Sequence, residues 1–365
     1  MKVTLVAGAR PNFMKIAPII HAIHSWNDKG HDLSYRLVHT GQHYDKNLSA
    51  KFFDDLNIPP PDVNLDVKSG SQAEQTAAIM IGFEKDLQDN PTDLVLVVGD
   101  VNSTMACAIV AKKAGVNVAH VEAGIRSGDL LMPEEINRIV TDSLTDFFFT
   151  TSEHANRNLR LAGVPDSRIF FVGNVMIDTL FQFRDSFNPP DIWKAFGLEP
   201  KSYLVLTLHR PSNVDEENQL KSLLSTIMMN SHELDIIFPV HPRTLQVLSK
   251  MQVDFPKLHF VEPLGYLEFN YLVQHARGVL TDSGGITEET TVMHIPCITL
   301  RENTERPETC EIGTNRLVGK NEKLLAEALE DMMSGNWPHG EIPDLWDGHA
   351  ADRIVSHIKN LPKGQ

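Results

Sequence analysis

The sequence predicts an α/β protein built from two parallel sheets, each covered by helices on both faces. Two observations carry this. Short apolar runs alternate with helix-length segments, and the alternation occurs twice, on either side of a proline-punctuated stretch. The runs are rich in Val, Ile, Leu and Phe and apolar on both sides, the pattern of strands with no solvated face.

In the first half, strands are expected over 3–8, 36–41, 94–100, 117–124, 146–152 and 169–174, with helices over 72–87 and 134–144 among the connections. The stretch 176–200 contains Pro189, Pro190 and Pro200 and looks like a domain junction. In the second half, strands are expected over 203–210, 235–242, 258–264, 278–285, 296–302 and 315–319, with a helix over 216–229. A loop rich in Pro, Gly and Trp (335–348) leads into a final helix over 350–361. The halves share this order of elements without visible sequence identity.

Composition narrows the function. The chain has 365 residues, enough for two sizeable cores, and a formal net charge of −15. That charge argues against nucleic acid or an anionic membrane as the main partner, since both attract basic surfaces. Clustered Arg and Lys still leave room for a small anionic substrate. The apolar runs are far too short to span a membrane, and the N-terminus does not read as a signal peptide. Cys107, Cys297 and Cys310 are odd in number and lack C-x-x-C spacing, which fits buried thiols in a reducing cytoplasm.

The carboxyl ends of the expected strands carry the chemistry. In open parallel sheets, ligands bind beyond those ends. Here they bear Gly8-Ala9-Arg10, His39 to His43, Gly99-Asp100, Glu122-Ala123-Gly124, His209-Arg210, His241-Pro242-Arg243, Asp282 to Gly285, and Arg301-Glu302. In the segment 282–289 a strand ends, Gly284 and Gly285 bare backbone N–H groups, and a helix begins. This suits a phosphate, because the first N–H groups of a helix are unpaired and its dipole favours an anion. Ser283 adds a hydroxyl, and Glu289 is placed to accept bonds from a ribose diol; an N-cap with a capping-box glutamate is the alternative. Arg301 and Arg306 follow the next strand and suit a diphosphate.

The first half supplies acids. Asp100 and Glu122 end neighbouring strands, and Glu134 opens a helix on which Asn137 and Arg138 share its face. Mutual repulsion among three carboxylates would raise at least one pKa, as acid–base pairs require. Arg10 and Lys15, at the first strand-to-helix turn, are placed to neutralise substrate phosphate. Sixteen histidines raise the question of a metal, yet none shows H-E-x-x-H or comparable spacing, so no metal is expected. His209 is the best candidate for a substrate-contacting histidine. P-loop, G-x-G-x-x-G and G-x-S-x-G signatures are missing.

Taken in order, these segments resemble the non-hydrolysing UDP-N-acetylglucosamine 2-epimerases along nearly the whole chain. The matching stretches are GARPNFMKIAP (8–18), TGQH (40–43), VVGDVNST (97–104), HVEAGIRSGD (120–129), MPEEINR (132–138), VGNVMID (172–178), LHRPSN (208–213), VHPRT (240–244), LTDSGGITEE (280–289), ENTERPE (302–308) and GTNRLVG (313–319). The resemblance implies a GT-B fold, with two Rossmann-like α/β/α domains facing across a cleft and the C-terminal helix returning to the first. It places one domain at 1–174 with 349–365, carrying the catalytic carboxylates, and the other at 175–348, binding UDP. It implies a cytoplasmic homodimer that needs no cofactor and supplies UDP-N-acetylmannosamine for surface polysaccharides.

The family's catalytic groups fall on Asp100, Glu122, Glu134 and His209. Its nucleotide-binding residues fall on Arg10, Ser283, Gly284, Gly285, Glu289 and Arg306, with His241 lining the cleft. Gln42 and His43 match a regulatory pocket of some bacterial members, although Tyr44-Asp45 follow them here. Ala9 and Asn12 stand where many members have Thr and Glu, and Pro211-Ser212 replaces the commoner Arg-Glu. The alternatives are a 2-epimerase of another UDP-amino sugar, such as a diacetamido uronic acid, and a GT-B glycosyltransferase.

Overall fold

The first sheet grows outward from β1 (Lys2–Ala7), which pairs in parallel with β2 (Ser34–His39) on one side and β4 (Leu94–Val98) on the other. A two-residue strand, β3 (Val63–Asn64), lies outside β2; β5 (Asn117–Val121), β6 (Phe147–Thr150) and β7 (Ile169–Phe171) extend the other side. The order is β3-β2-β1-β4-β5-β6-β7, all parallel. A computed structural model describes residues 1–41, 53, 56–68, 70–214, 216–240, 248 and 255–361, with the side chains of Arg10, Pro211 and Ser212 outside the description.

Helices α1 (Arg10–Asp28), α2 (Gln72–Asp89), α3 (Asn102–Lys113), α4 (Pro133–Leu144) and α5 (Glu153–Leu161) belong to this half, and α6 (Val175–Phe183) leads out of it. All five residues of β4 are buried, and Ile79, Phe83 and Leu87 of α2 join Val95, Val97 and Val110 in one core. The i, i+4, i+8 spacing on α2 places those three side chains on one face.

The second sheet repeats the plan. Strands β8 (Tyr203–Thr207), β9 (Asp235–Pro239), β10 (Leu258–Val261), β11 (Gly278–Thr281), β12 (Cys297–Thr299) and β13 (Asn315–Leu317) run in the order β10-β9-β8-β11-β12-β13. Every pairing is again parallel. The second sheet thus has the doubly wound 3-2-1-4-5-6 arrangement and the first has the same order with a seventh strand added; in both, the chain leaves the first strand towards one edge and later returns to build the other. The helices here are α7 (Asp191–Ala195), α8 (Pro211–Val214), α9 (Glu217–Asn230), α10 (Tyr266–His275), α11 (Gly284–Val292), α12 (Pro307–Glu311) and α13 (Glu322–Ser334). Leu220, Leu224 and Ile227 of α9 pack with Leu325, Leu329 and Met332 of α13 in the core of this sheet.

The strands stop earlier than the apolar runs suggest. β4 ends at Val98, β5 at Val121, β8 at Thr207 and β11 at Thr281. At the first two ends the backbone turns left-handed: Gly99 has φ +66° and Glu122 φ +70°. Neither value belongs to an extended strand. The short β3 was not expected, since two residues are too few to show a period.

The chain divides into two units, Met1–Thr179 with the segment from Asp344 onward, and Leu180–Pro343. The final helix (Ala350–Asn360) packs on α1 of the first unit, burying Ala350, Ala351, Ile354, Val355 and Ile358. Each large aliphatic side chain buried there contributes about 1.5–3 kcal/mol. Asp178 caps the helix: its carboxylate accepts the Ala350 and Ala351 N–H groups at 3.1 and 2.6 Å. Arg353 donates to the Val172 carbonyl, and the indole of Trp346 to that of Thr151. No described helix is long and apolar enough to cross a membrane.

The returning segment passes tightly over Gly173, just beyond β7. That residue has φ +93°, and a Cβ there would lie 2.0 Å from the Leu345 carbonyl oxygen. Gly173→Ala is expected to destabilise the protein by about 2–4 kcal/mol. Gly163→Ala has a similar φ of +85° but open space around it, and should cost only about 1 kcal/mol, as for an unfavourable backbone alone. Urea unfolding of the two variants measures the difference.

Candidate functional site

In a doubly wound sheet the ligand crevice opens where the strand order reverses. In the first sheet that point lies between β1 and β4. Asn12, on the first turn of α1, accepts the Gly8 and Ala9 N–H groups at 3.1 and 2.9 Å and donates to the Val98 carbonyl. One short amide therefore ties the loop after β1 to the end of β4. Lys15, one turn further, reaches Glu122 at 2.7 Å, with 13% and 3% of the two side chains exposed. Gly99 makes room: a Cβ there would come within 3.1 Å of the Lys15 ammonium. Glu122 holds its left-handed backbone while its N–H donates to the Phe149 carbonyl at 3.0 Å. A side-chain residue in that region is strained by about 1–3 kcal/mol, which the surrounding bonds must offset.

Asp100 follows Gly99 and is fixed from α4. Arg138 donates to its Oδ2 from Nη2 at 2.6 Å and from Nε at 3.1 Å, and Asn137 donates to its backbone carbonyl at 2.8 Å. Arg138 is in turn held by Glu135 at 2.8 Å. Glu135 also accepts from Ser127 and Gly128, and these bonds with Arg138 outweigh its burial and hold its carboxyl below the usual range. On β5, His120 places Nδ1 2.7 Å from Asp142 and Nε2 2.9 Å from the Gly99 carbonyl. Asp142 also takes the Gly124 N–H and the Arg126 guanidinium. Its burial is overcome by His120 and Arg126, so its pKa is lowered.

Asp100 and Glu122 are thus each paired with a cation, in place of the mutual repulsion expected from sequence. Lys15, read from sequence as a cation for substrate phosphate, meets Glu122. Glu134 is exposed, and its neighbour Glu135 is the carboxylate that α4 turns inward with Asn137 and Arg138.

In the second sheet the reversal lies between β8 and β11. Thr207 and Thr281, register partners, share a hydroxyl hydrogen bond of 2.6 Å. The next residues along each strand bring His209 beside Asp282, with Nδ1 2.7 Å from Oδ1. Ser283 precedes α11, and its side chain makes no cap bond. Gly284 backs onto Glu305, whose Oε1 would lie 2.9 Å from a Cβ, whereas Gly285 faces open space. Ser283, Gly284 and Gly285 are partly exposed at this helix start. Glu288 and Glu289 form no capping box: Glu288 is ion-paired with Arg306, and Glu289 accepts the Tyr266 hydroxyl at 2.8 Å. Burial and the charge of Glu288 push the Glu289 carboxyl up to about 7 despite that bond. Arg301 pairs with Glu305 at 2.6 Å.

Within the first unit, the structure therefore gathers Lys15, Asp100 and Glu122 about one strand-end rim. Within the second, it gathers His209, Ser283, Gly284, Gly285, Glu289 and Arg306 about the other. Arg10 begins α1, with its side chain outside the description; Gln42, His43 and His241 lie outside the described residues. No group of His, Cys, Asp and Glu among the described residues could hold a metal ion. Sequence reasoning missed Glu135 as the partner of Arg138, Asp142 as the partner of His120, and Tyr266 as the partner of Glu289. The i, i+3 spacing of Glu135 and Arg138 was a visible signal for the first; nothing local marks the other two.

Two Rossmann-like units, each with polar groups at its reversal point, define the GT-B class of nucleotide-sugar enzymes. The chain belongs to the UDP-N-acetylglucosamine 2-epimerase family, whose sequence profile matches residues 27–359. It is 40% identical to the UDP-N-acetylglucosamine 2-epimerase of Methanocaldococcus jannaschii, over 97% of this chain and 98% of that one. The crystal structure of that organism's enzyme in complex with UDP-GlcNAc and UDP superposes with a TM-score of 0.87 at 39% identity, covering 99% of this chain and 100% of that one. The UDP-2,3-diacetamido-2,3-dideoxy-D-glucuronate 2-epimerase of Pseudomonas aeruginosa is 35% identical, over 99% of this chain and 100% of its own length.

Glu289 gives a pH signature. Its folded pKa is raised from 4.5 to about 7, so what it contributes to stability is fully present below the unfolded value and lost as pH rises through the folded one. Between pH 4.5 and 7 the wild type should lose roughly 2–4 kcal/mol relative to Glu289→Gln. Urea midpoints of the two proteins at pH 5 and pH 8 provide the check; parallel curves would contradict it.

Proposed function

We propose that the chain is a non-hydrolysing UDP-N-acetylglucosamine 2-epimerase, interconverting UDP-GlcNAc and UDP-ManNAc. The observation that carries this is the full-length family membership combined with retention of Asp100, Glu122, Glu134 and His209 in their motifs. In this reading the first unit works on the sugar and the second holds UDP.

The chemistry follows from the substrate. C2 of the sugar is not beside a carbonyl, so its proton is too weakly acidic for direct removal. Breaking the C1–O bond first sends the electron pair to the diphosphate and leaves an oxocarbenium-like centre, which acidifies C2–H. Loss of that proton gives a 2-acetamidoglucal and UDP by anti elimination. Proton delivery to the opposite face of C2, with return of UDP to C1, gives the manno epimer. Two proton-transfer groups are required, one for each face. Asp100 and Glu134 take these roles, with Arg138 holding the Asp100 carboxylate and Glu122, fixed by Lys15, tuning the pair. The start of α11 with Ser283, Gly284 and Gly285, together with Arg10, Arg306 and His241, binds the diphosphate, and Glu289 the ribose. Gln42 and His43 belong to a regulatory pocket in the same reading, which also takes the enzyme to be a cytoplasmic homodimer feeding surface polysaccharide synthesis.

A second reading has a specific basis. The Pseudomonas relative, similar over its entire length, is by name an epimerase of a diacetamido uronic acid. Incubation with UDP-GlcNAc in D₂O, followed by NMR, separates the two. The manno epimer carrying deuterium at C2, without free hexosamine, is the expected product. Free N-acetylmannosamine would make the enzyme hydrolytic. No exchange at all would turn the assignment to the uronic acid substrate. Asp100→Asn should lower kcat by at least about 10²-fold while UDP binding is largely kept; near-normal turnover would reject its role.

A further inference from the structure

Asp282 is fully buried and touches no solvent, yet five of its contacts converge on the reversal point of the second sheet. Its Oδ1 lies 2.7 Å from Nδ1 of His209 and 3.2 Å from the His209 backbone nitrogen. Its Oδ2 accepts the N–H groups of His209 and Arg210 at 3.1 and 3.0 Å and the side-chain amide of Asn213 at 3.0 Å. The His209 side chain is 62% exposed, so the nitrogen turned away from Asp282 is the one a ligand can meet.

We propose that Asp282 is a positioning residue that fixes the tautomer of His209, so that Nε2 exchanges a proton with the leaving diphosphate oxygen. This rests on the epimerase reading above. The Asp282 carboxylate has only acceptor sites, so Nδ1 must carry a hydrogen towards it. Nε2 is then left to gain and lose a proton without any rotation of the ring. When C1–O breaks, its electron pair goes to oxygen and the proton passes from the imidazolium Nε2 to that oxygen. When UDP returns, the oxygen attacks C1 and the proton goes back to Nε2. The ring ends each turnover as it began. Burial opposes ionisation of Asp282, but the His209, Arg210 and Asn213 bonds outweigh it and lower its pKa. The acceptor role is thus kept at neutral pH.

Asp282→Asn has a specific consequence. The Arg210 N–H and the Asn213 amide both demand an acceptor at the Oδ2 position, so the new NH₂ must point at Nδ1 of His209. The neutral ring would then carry its hydrogen on Nε2, and a second proton would place two donors face to face. The analogous substitution in a Ser-His-Asp triad costs about 10⁴-fold in kcat through the wrong tautomer.

The first experiment is ¹⁵N NMR of the histidine-labelled protein, with His209→Gln assigning the signal. The Nδ1–H form of the neutral ring is expected in the wild type and the Nε2–H form in Asp282→Asn. An Nε2–H ring in the wild type would overturn the proposal, and this outcome needs no variant of Asp282. Kinetically, Asp282→Asn should lower kcat by about 10²–10⁴-fold with KM within about threefold. In the His209→Gln background it should cost less than about twofold, because the ring it orients is gone. An equal loss in both backgrounds would make Asp282 merely structural. A fully active His209→Gln enzyme would overturn the proton-exchange role and leave the epimerase reading standing. A wild type that epimerises nothing would remove that reading, while the tautomer measurement still decides the Asp282–His209 pair.

Discussion

A parallel sheet whose chain leaves its first strand in one direction and returns on the other side opens a crevice beyond its strand ends, where backbone pairing stops and the loops part. The molecule has this constraint twice, between β1 and β4 and between β8 and β11. At each gap the loops that follow the strands diverge, and side chains must join them. In the first unit Asn12 spans from the Gly8–Ala9 turn to Val98. In the second, Thr207 meets Thr281 and Asp282 gathers the start of the 209–213 segment. The polar groups that hold each gap together also give it its chemistry.

Buried charge is organised by the same logic. A carboxylate taken out of water loses solvation that one ion pair rarely recovers, so the stable arrangement supplies several donors to each acid. Asp142 has His120, Arg126 and the Gly124 N–H; Glu135 has Arg138 and the Ser127–Gly128 backbone; Asp282 has His209, Arg210 and Asn213. None of these three acids is well placed to meet substrate. Each instead restrains the segment or side chain beside one that is. Glu289 is the exception, without a cationic partner in its own bonds and with a raised pKa, because burial and the charge of Glu288 outweigh the Tyr266 and Asn270 side chains.

Much of the fold was legible because strands buried on both faces advertise themselves as continuous apolar runs. All twelve runs read from the sequence contain a strand. Their carboxyl ends were read too long, since Gly99 and Glu122 turn left-handed, and a positive φ at a glutamate leaves no trace in composition. β3 escaped notice for its length alone. For the site, the residue types at the rim were legible but their pairings were not. Glu134 and Glu135 look alike in sequence; only the packing of α4 decides that Glu135 turns inward to Arg138 while Glu134 stays exposed.

By itself the sequence determined the alternation of strands and helices, the repeat of that plan, the family, and the collection of acids, histidine and glycines beyond the strand ends. These depend on local pattern and on residue identity, which the linear chain displays. Tertiary structure alone decided which strands are neighbours, and so which loops meet. Lys15 and Glu122 stand 107 positions apart, and His209 and Asp282 stand 73 apart. Bonds of that reach exist only after parallel register has brought the strand ends side by side, because register, not sequence distance, sets which donor finds which acceptor.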